Sequence, residues 1–293
     1  MKANLVQQHK VHNYSIIQNL NNGMFSDLYK VQDSSSNIYV LKLFNRRTPH
    51  KIILNEIKIG IYLFFKEPEN PHLIKYISSE TELSSKRTYI LYEFTENISL
   101  ENKIVSALYF EEKMAMIIFW NVAKEVKNLH EIGIANIDIS LENILVEENY
   151  NLKLAGFENA KFIKDNLISK DSLIENDIFH LGVLLLQLVT GRCDIKYLEN
   201  TFQKIIQKGG YKLFWKMFEI HKTQKLSKEL RDLVYHMLSI KYNNHLEKIT
   251  LDKILNNQAL FQEMESEENI NYMKEKLEQL EESEGSEEPE LIF

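Results

Sequence analysis

Four polar residues have types and spacings suited to handling protons and charge. Lys42 closes the alternating run YVLK, Glu56 follows 14 residues later inside ILNEI, and Asp138 and Asn143 stand five apart in DISLEN. A carboxylate can take a proton from a hydroxyl, an amide oxygen can hold a cation, and a lysine beside a glutamate can grip an anion. Each alone also has an ordinary reading: a solvated strand lysine, a surface helix glutamate, a loop aspartate bonded to its own backbone. The nine histidines, His50, His72 and His180 among them, show no metal-ligand spacing, and no D-x-D-x-D-G calcium loop occurs. Cys193 is the one cysteine, so an internal disulfide is excluded, which suits a reducing compartment.

Elements that would position these groups follow from hydrophobic periodicity. Residues 14–44 alternate around the breaks NNG at 21–23 and DSSSN at 33–37, which predicts three strands. From His50 to Phe65 the period lengthens, with Ile53, Ile57, Ile61 and Phe64 at helical spacing, and strands at 73–78 and 89–94 complete a strand-rich first hundred residues. Beyond Leu100 the pattern is helical. Met114, Ile117, Ile118, Val122, Val126 and Leu129 mark a long amphipathic helix, and residues 143–157 read as a hairpin. Residues 178–189 are apolar nearly all round, as in a buried post, and further helices are predicted near 201–208, 213–220, 228–239 and 250–258.

Composition sets the bounds. With 44% hydrophobic and 26% charged residues in 293, the chain can bury a sizeable core, and 9 Gly with 4 Pro favour helices over a turn-rich all-β fold. The net charge of −7 is uneven: residues 262–293 carry 12 Glu and 2 Lys, leaving 33 basic against 30 acidic residues in 1–261. A body at +3 offers no basic face, so no nucleic-acid partner is expected. No basic-then-apolar leader opens the sequence, and the 12-residue run at 178–189, interrupted by His180 and Gln187, is too short to span a bilayer. No membrane partner is expected, and the cytoplasm is the expected compartment, with the nucleus open.

A strand-rich lobe with one helix, followed by a larger helical lobe with D-x-x-x-x-N before a hairpin, resembles the eukaryotic protein kinase domain of serine/threonine type over residues 14–261. GYKLFW at 210–215 and the following SKELRDL resemble calcium/calmodulin-dependent-type kinases. The resemblance implies an α+β bilobal fold: a five-stranded antiparallel N-lobe with one helix at about 14–94, and a mainly helical C-lobe at about 98–261. Residues 262–293 are expected to form an acidic tail. Its first part is helical on Ile270, Met273, Leu277 and Leu280, and it is flexible from Glu281 to an apolar end at Leu291, Ile292 and Phe293.

Motif by motif, the resemblance implies a site and its defects. The phosphate-binding loop keeps only Gly23 of three glycines, with Asn21 and Ser26 in the other places. Lys42 and Glu56 fall on the pair that positions the ATP phosphates. Tyr92 falls on the gatekeeper, Glu93 to Thr95 on the hinge, and Leu145 within the nucleotide pocket, which Leu28 and Val40 should narrow. Asp138 falls on the catalytic base and Asn143 on a magnesium ligand, but Asn136, Ile137 and Ser140 replace the loop's His, Arg and Lys. In KLAGFENAK, Gly156 stands where the magnesium-bridging Asp belongs and Glu158 where a Gly belongs, and Glu158 is not expected to replace that Asp. Asp177 falls on the buried Asp that supports the catalytic loop. Only 21 residues separate Gly156 from Asp177, no A-P-E occurs, and Lys248 replaces a late Arg, so the ion pair those elements form is expected to be lost. The apolar column of active kinases would run through Tyr76, Gly60, Phe157 and Asn136, leaving a gap at Gly60 and a polar group needing a partner at Asn136.

These departures predict a pseudokinase, a scaffold or allosteric regulator in phospho-signalling whose partner is a protein such as another kinase or a substrate protein. ATP is the implied ligand, with magnesium weak or absent. Two alternatives stand beside it: an active Ser/Thr kinase with atypical metal coordination, and an ATP-binding sensor without transfer.

Overall fold

The computed structural model describes residues 10–11, 13–82, 86–95, 98–164, 169–192, 194, 199–208, 210–218, 225–242, 247–264 and 266–284; Cys193 and Leu291, Ile292 and Phe293 lie outside them. Two compact units result, Met1–Glu96 with Phe157–Ala160, and Asn97–Gly156 with Lys161–Phe293.

In the first unit, β1 (Lys10–Val11), β2 (Tyr14–Asn22), β3 (Ser26–Gln32), β4 (Ile38–Phe44), β5 (Tyr76–Glu82) and β6 (Arg87–Glu93) form an antiparallel sheet in the order β1-β2-β3-β4-β6-β5. The five expected strands are present, with the two-residue β1 added at one edge. The strand expected from residue 73 begins only at Tyr76, because the Lys75 N–H is spent on the Glu93 carboxylate, 3.0 Å away. Side chains alternate across a strand, and β4 shows it: Leu41 and Leu43 pack with Val31, Tyr89 and Leu91 on one face, while Phe44 packs with Ile53, Tyr76, Ile90 and Tyr92 on the other. Lys42 shares the second face, which is also the face of α1 (His50–Lys66). That helix buries Ile53, Glu56, Ile59, Gly60 and Leu63 at steps of three and four. Glycine at 60 leaves no gap. A Cβ there would lie 2.5 Å from the Tyr76 ring, which fills the space itself.

The second unit is mainly helical. β7 (Ile98–Ser99) leads into α2 (Leu100–Ala107), capped by the Ser99 hydroxyl, and α3 (Glu112–Glu131) realises the long amphipathic helix. β8 (Ile134–Ala135), the hairpin β9 (Ile144–Val146) and β10 (Leu152–Leu154), and β11 (Lys161–Phe162) carry the loops between them. α4 (Lys170–Thr190), α5 (Glu199–Gln207), α6 (Tyr211–Phe218) and α7 (Lys228–Ser239) follow. The helix expected at 250–258 divides into α8 (Leu251–Leu255) and α9 (Gln258–Phe261), because Asn256 ends one and Asn257 starts the other, and asparagine competes for backbone hydrogen bonds.

By length and apolar content α4 could cross a membrane, contrary to the 12-residue expectation, since its helical run extends to both sides of that segment. It is nonetheless mostly buried inside the unit, against α3 and α7. α10 (Glu267–Glu284) packs on α2 and α3, with Met273 and Leu277 buried. Tyr272 donates a 3.1 Å hydrogen bond to Glu111, and its ring lies 4.4 Å from the Lys113 ammonium.

Candidate active site

In the first unit the alternation of β4 and the inner stripe of α1 bring Lys42 and Glu56 together at 2.8 Å, with side-chain exposures of 9% and 2%. Two neighbours were not legible in the sequence. The Tyr92 hydroxyl donates to the same Glu56 oxygen at 2.9 Å, and the Glu158 carboxylate makes a second ion pair with Lys42. The other Glu56 oxygen is buried without a hydrogen-bond partner among the described residues. Burial pulls the Lys42 ammonium down, but Glu56 and then Glu158 outweigh it and its pKa lies above the ordinary lysine value. Burial first, then the Glu56 charge, pushes the Tyr92 hydroxyl well above its usual range, so it stays a donor. The signals for this cluster were a hydroxyl on a buried ring, which needs a partner, and a carboxylate in a glycine's place.

The backbone after Phe157, itself buried, is tethered to α1: the Asn55 amide donates to the Ala160 carbonyl at 2.7 Å and, more weakly, to that of Glu158 at 3.5 Å. The Gly23 N–H closes its own turn on the Ser26 carbonyl at 2.9 Å, and Asn45 holds the Gly23 and Met24 carbonyls. Asn21 and Ser26 sit on β2 and β3 of this ordinary hairpin. Glu93 is engaged by Lys75 through both its carboxylate and its N–H, and Thr95 is half-buried just beyond β6. Leu28 and Val40 are half-buried on neighbouring strands.

In the second unit Asp177, fully buried on α4, accepts from the Asn136 and Ile137 N–H groups at 2.8 Å each and faces His130 Nε2 at 2.8 Å. Burial raises its pKa against the pull of those bonds. These bonds fix the loop that carries Asp138, in which Asn136 has φ +57 and its side-chain oxygen accepts a hydrogen bond from the Asn176 amide at 3.2 Å. The polar group expected to need a partner has one. Ile137 is buried, and the Ser140 hydroxyl is buried without a hydrogen-bond partner among the described residues. Leu145 is half-buried on β9.

The Asn143 amide nitrogen donates to the Asp138 carbonyl at 3.0 Å. A Cβ on Gly156, at φ +77, would collide with the Asn143 amide. The expected metal set is therefore one amide and no carboxylate. Glu158 is taken by Lys42, and no group of three or more His, Cys, Asp or Glu able to hold a metal occurs among the described residues. These donors do not fit a metal-bridged triphosphate, whose charge a divalent cation neutralises through carboxylate ligands. Lys248 pairs instead with Glu175, on α4 two residues before Asp177, in an ion pair whose lysine is mostly exposed.

The protein kinase domain profile matches residues 14–261. Similar proteins include the serine/threonine-protein kinase PLK4 of Xenopus tropicalis, 22% identical over 269 residues, covering 83% of this chain and 26% of that protein. The carbon catabolite-derepressing protein kinase of Secale cereale is 25% identical over 237 residues, covering 73% and 44%. Calcium-dependent protein kinase 6 of Plasmodium berghei is 28% identical over 219 residues, covering 67% and 14%. The chain spans from a quarter to two fifths of the length of the first three curated relatives it matches.

Proposed function

Because the chain belongs to the protein kinase domain family, we propose that it is a pseudokinase, a kinase fold that binds a protein partner, such as another kinase or a substrate protein, as scaffold or allosteric regulator in the cytoplasm. One observation carries this reading: the position that needs a metal-bridging carboxylate is Gly156, and the Asn143 amide fills the space its side chain would require. Losing a single preorganised electrostatic contact commonly costs roughly 10²–10³-fold in rate. Here Ser140 also stands in place of a lysine that would contact the transferred phosphate, and its hydroxyl is buried.

A second reading, a serine/threonine kinase with atypical metal coordination, draws on the assembled Lys42–Glu56 pair, on the retained Asp138 and on the kinases among the relatives. A third, an ATP sensor without transfer, draws on the same pair. Thermal-shift titration with ATP, first with magnesium and then with EDTA, separates them. No rise in melting temperature fits the scaffold, a metal-independent rise fits the sensor, and a magnesium-dependent rise favours the active kinase.

A further inference from the structure

Lys42 needs one carboxylate for neutrality and has two. Glu56 is buried and also held by Tyr92, so it is the structural partner. Glu158 is the open one: its side chain is 28% exposed, against 9% for Lys42 and 2% for Glu56. An anion approaching Lys42 from solvent therefore meets the Glu158 carboxylate first. Nor is this carboxylate loosely placed, since Asn55, adjacent to Glu56 on α1, tethers the backbone of residues 158–160. The cluster carries two negative charges against one positive, which opposes any further anion.

We propose that Glu158 is an internal stand-in for a nucleotide phosphate: its carboxylate occupies the phosphate-facing side of Lys42 and must be displaced before a nucleoside di- or triphosphate can bind there. This rests on the reading of Lys42 as the phosphate-binding lysine of the kinase site. Glu158 is then a determinant of ligand access rather than a substitute metal ligand, and nucleotide and Glu158 compete for one ammonium group.

The test is calorimetric titration of the full chain with ATP in EDTA, for the wild type, Glu158→Gln, Glu158→Ala and Glu158→Gln combined with Lys42→Met. Hydrogen bonds to charged groups correspond to roughly 10- to 100-fold in affinity, so both single variants should bind ATP tighter than the wild type by that factor. The double variant, compared at a temperature where its melt shows it folded, should lose the gain. The tether uses main-chain oxygens, so the single variants should melt within a few degrees of the wild type, and alanine decides the matter if glutamine perturbs folding. Binding no tighter than the wild type in a folded variant overturns the proposal, as does a gain that survives Lys42→Met. Magnesium-dependent phosphate transfer by the wild type would instead defeat the pseudokinase reading and leave the tightening intact.

Discussion

At the residue scale the substitutions form a matched set. Gly156 and Asn143 are fitted to each other, so restoring the aspartate is expected to fail: Gly156→Asp places a side chain at φ +77 against the Asn143 amide. Its expected cost is about 1–3 kcal/mol in urea unfolding, with no gain of phosphate transfer; a variant of wild-type stability that transfers phosphate would contradict the fit. Lys42 is bound on the other side of the same logic. Lys42→Met leaves Glu56 buried beside Glu158 without a cation, and removing one partner of a buried pair typically costs about 3–5 kcal/mol. Denaturant melts should show a loss of that order, and a loss under about 1 kcal/mol would mean that the pair does not hold α1 to β4.

At the element scale, α4 and α10 carry the consequences. His180 on α4 is held down to about 4 by burial, helped by Lys241 and opposed by Glu199, while Asn176 donates to its Nδ1 at 3.3 Å. Its folded value lies below the unfolded value of about 6.5, so the unfolded chain binds more protons in between, and stability falls as pH drops through that window. The loss from pH 7 to pH 4.5 should reach about 2–3 kcal/mol in urea melts and should shrink in His180→Gln; an equal loss in both would contradict it. Leu277, fully buried on α10, should cost about 2–4 kcal/mol as alanine if that helix is integral to the second unit, whereas a near-zero change would mark it as an appendage.

Much of this scale was legible in the sequence. Period-two runs foretold the strands, and the stripe Ile270, Met273, Leu277, Leu280 foretold an amphipathic helix. What α10 packs against was not legible, because Glu111 and Tyr272 are 161 residues apart and only the fold joins them. The same holds for Glu158, 116 residues from Lys42, and for Glu175, whose pairing with Lys248 depends on how α4 runs.

At the scale of the whole molecule, the chain belongs to the protein kinase domain family, and several positions that the family uses for chemistry make contacts inside their own unit. Asp177 anchors the loop of Asp138, Asn143 bonds backbone, Glu56 binds Lys42 and Tyr92, and Glu158 makes a second ion pair with Lys42. The motifs revealed the family because they are local in sequence. The pairings were hidden because they depend on which side chain meets which. The central claim, a kinase fold without phosphate transfer, is tested most directly by labelled-phosphate transfer from ATP and magnesium to generic serine/threonine peptides and to the protein itself, with Asp138→Asn as the comparison. Wild type and variant should be indistinguishable at background, and robust transfer by the wild type that Asp138→Asn abolishes would contradict the claim.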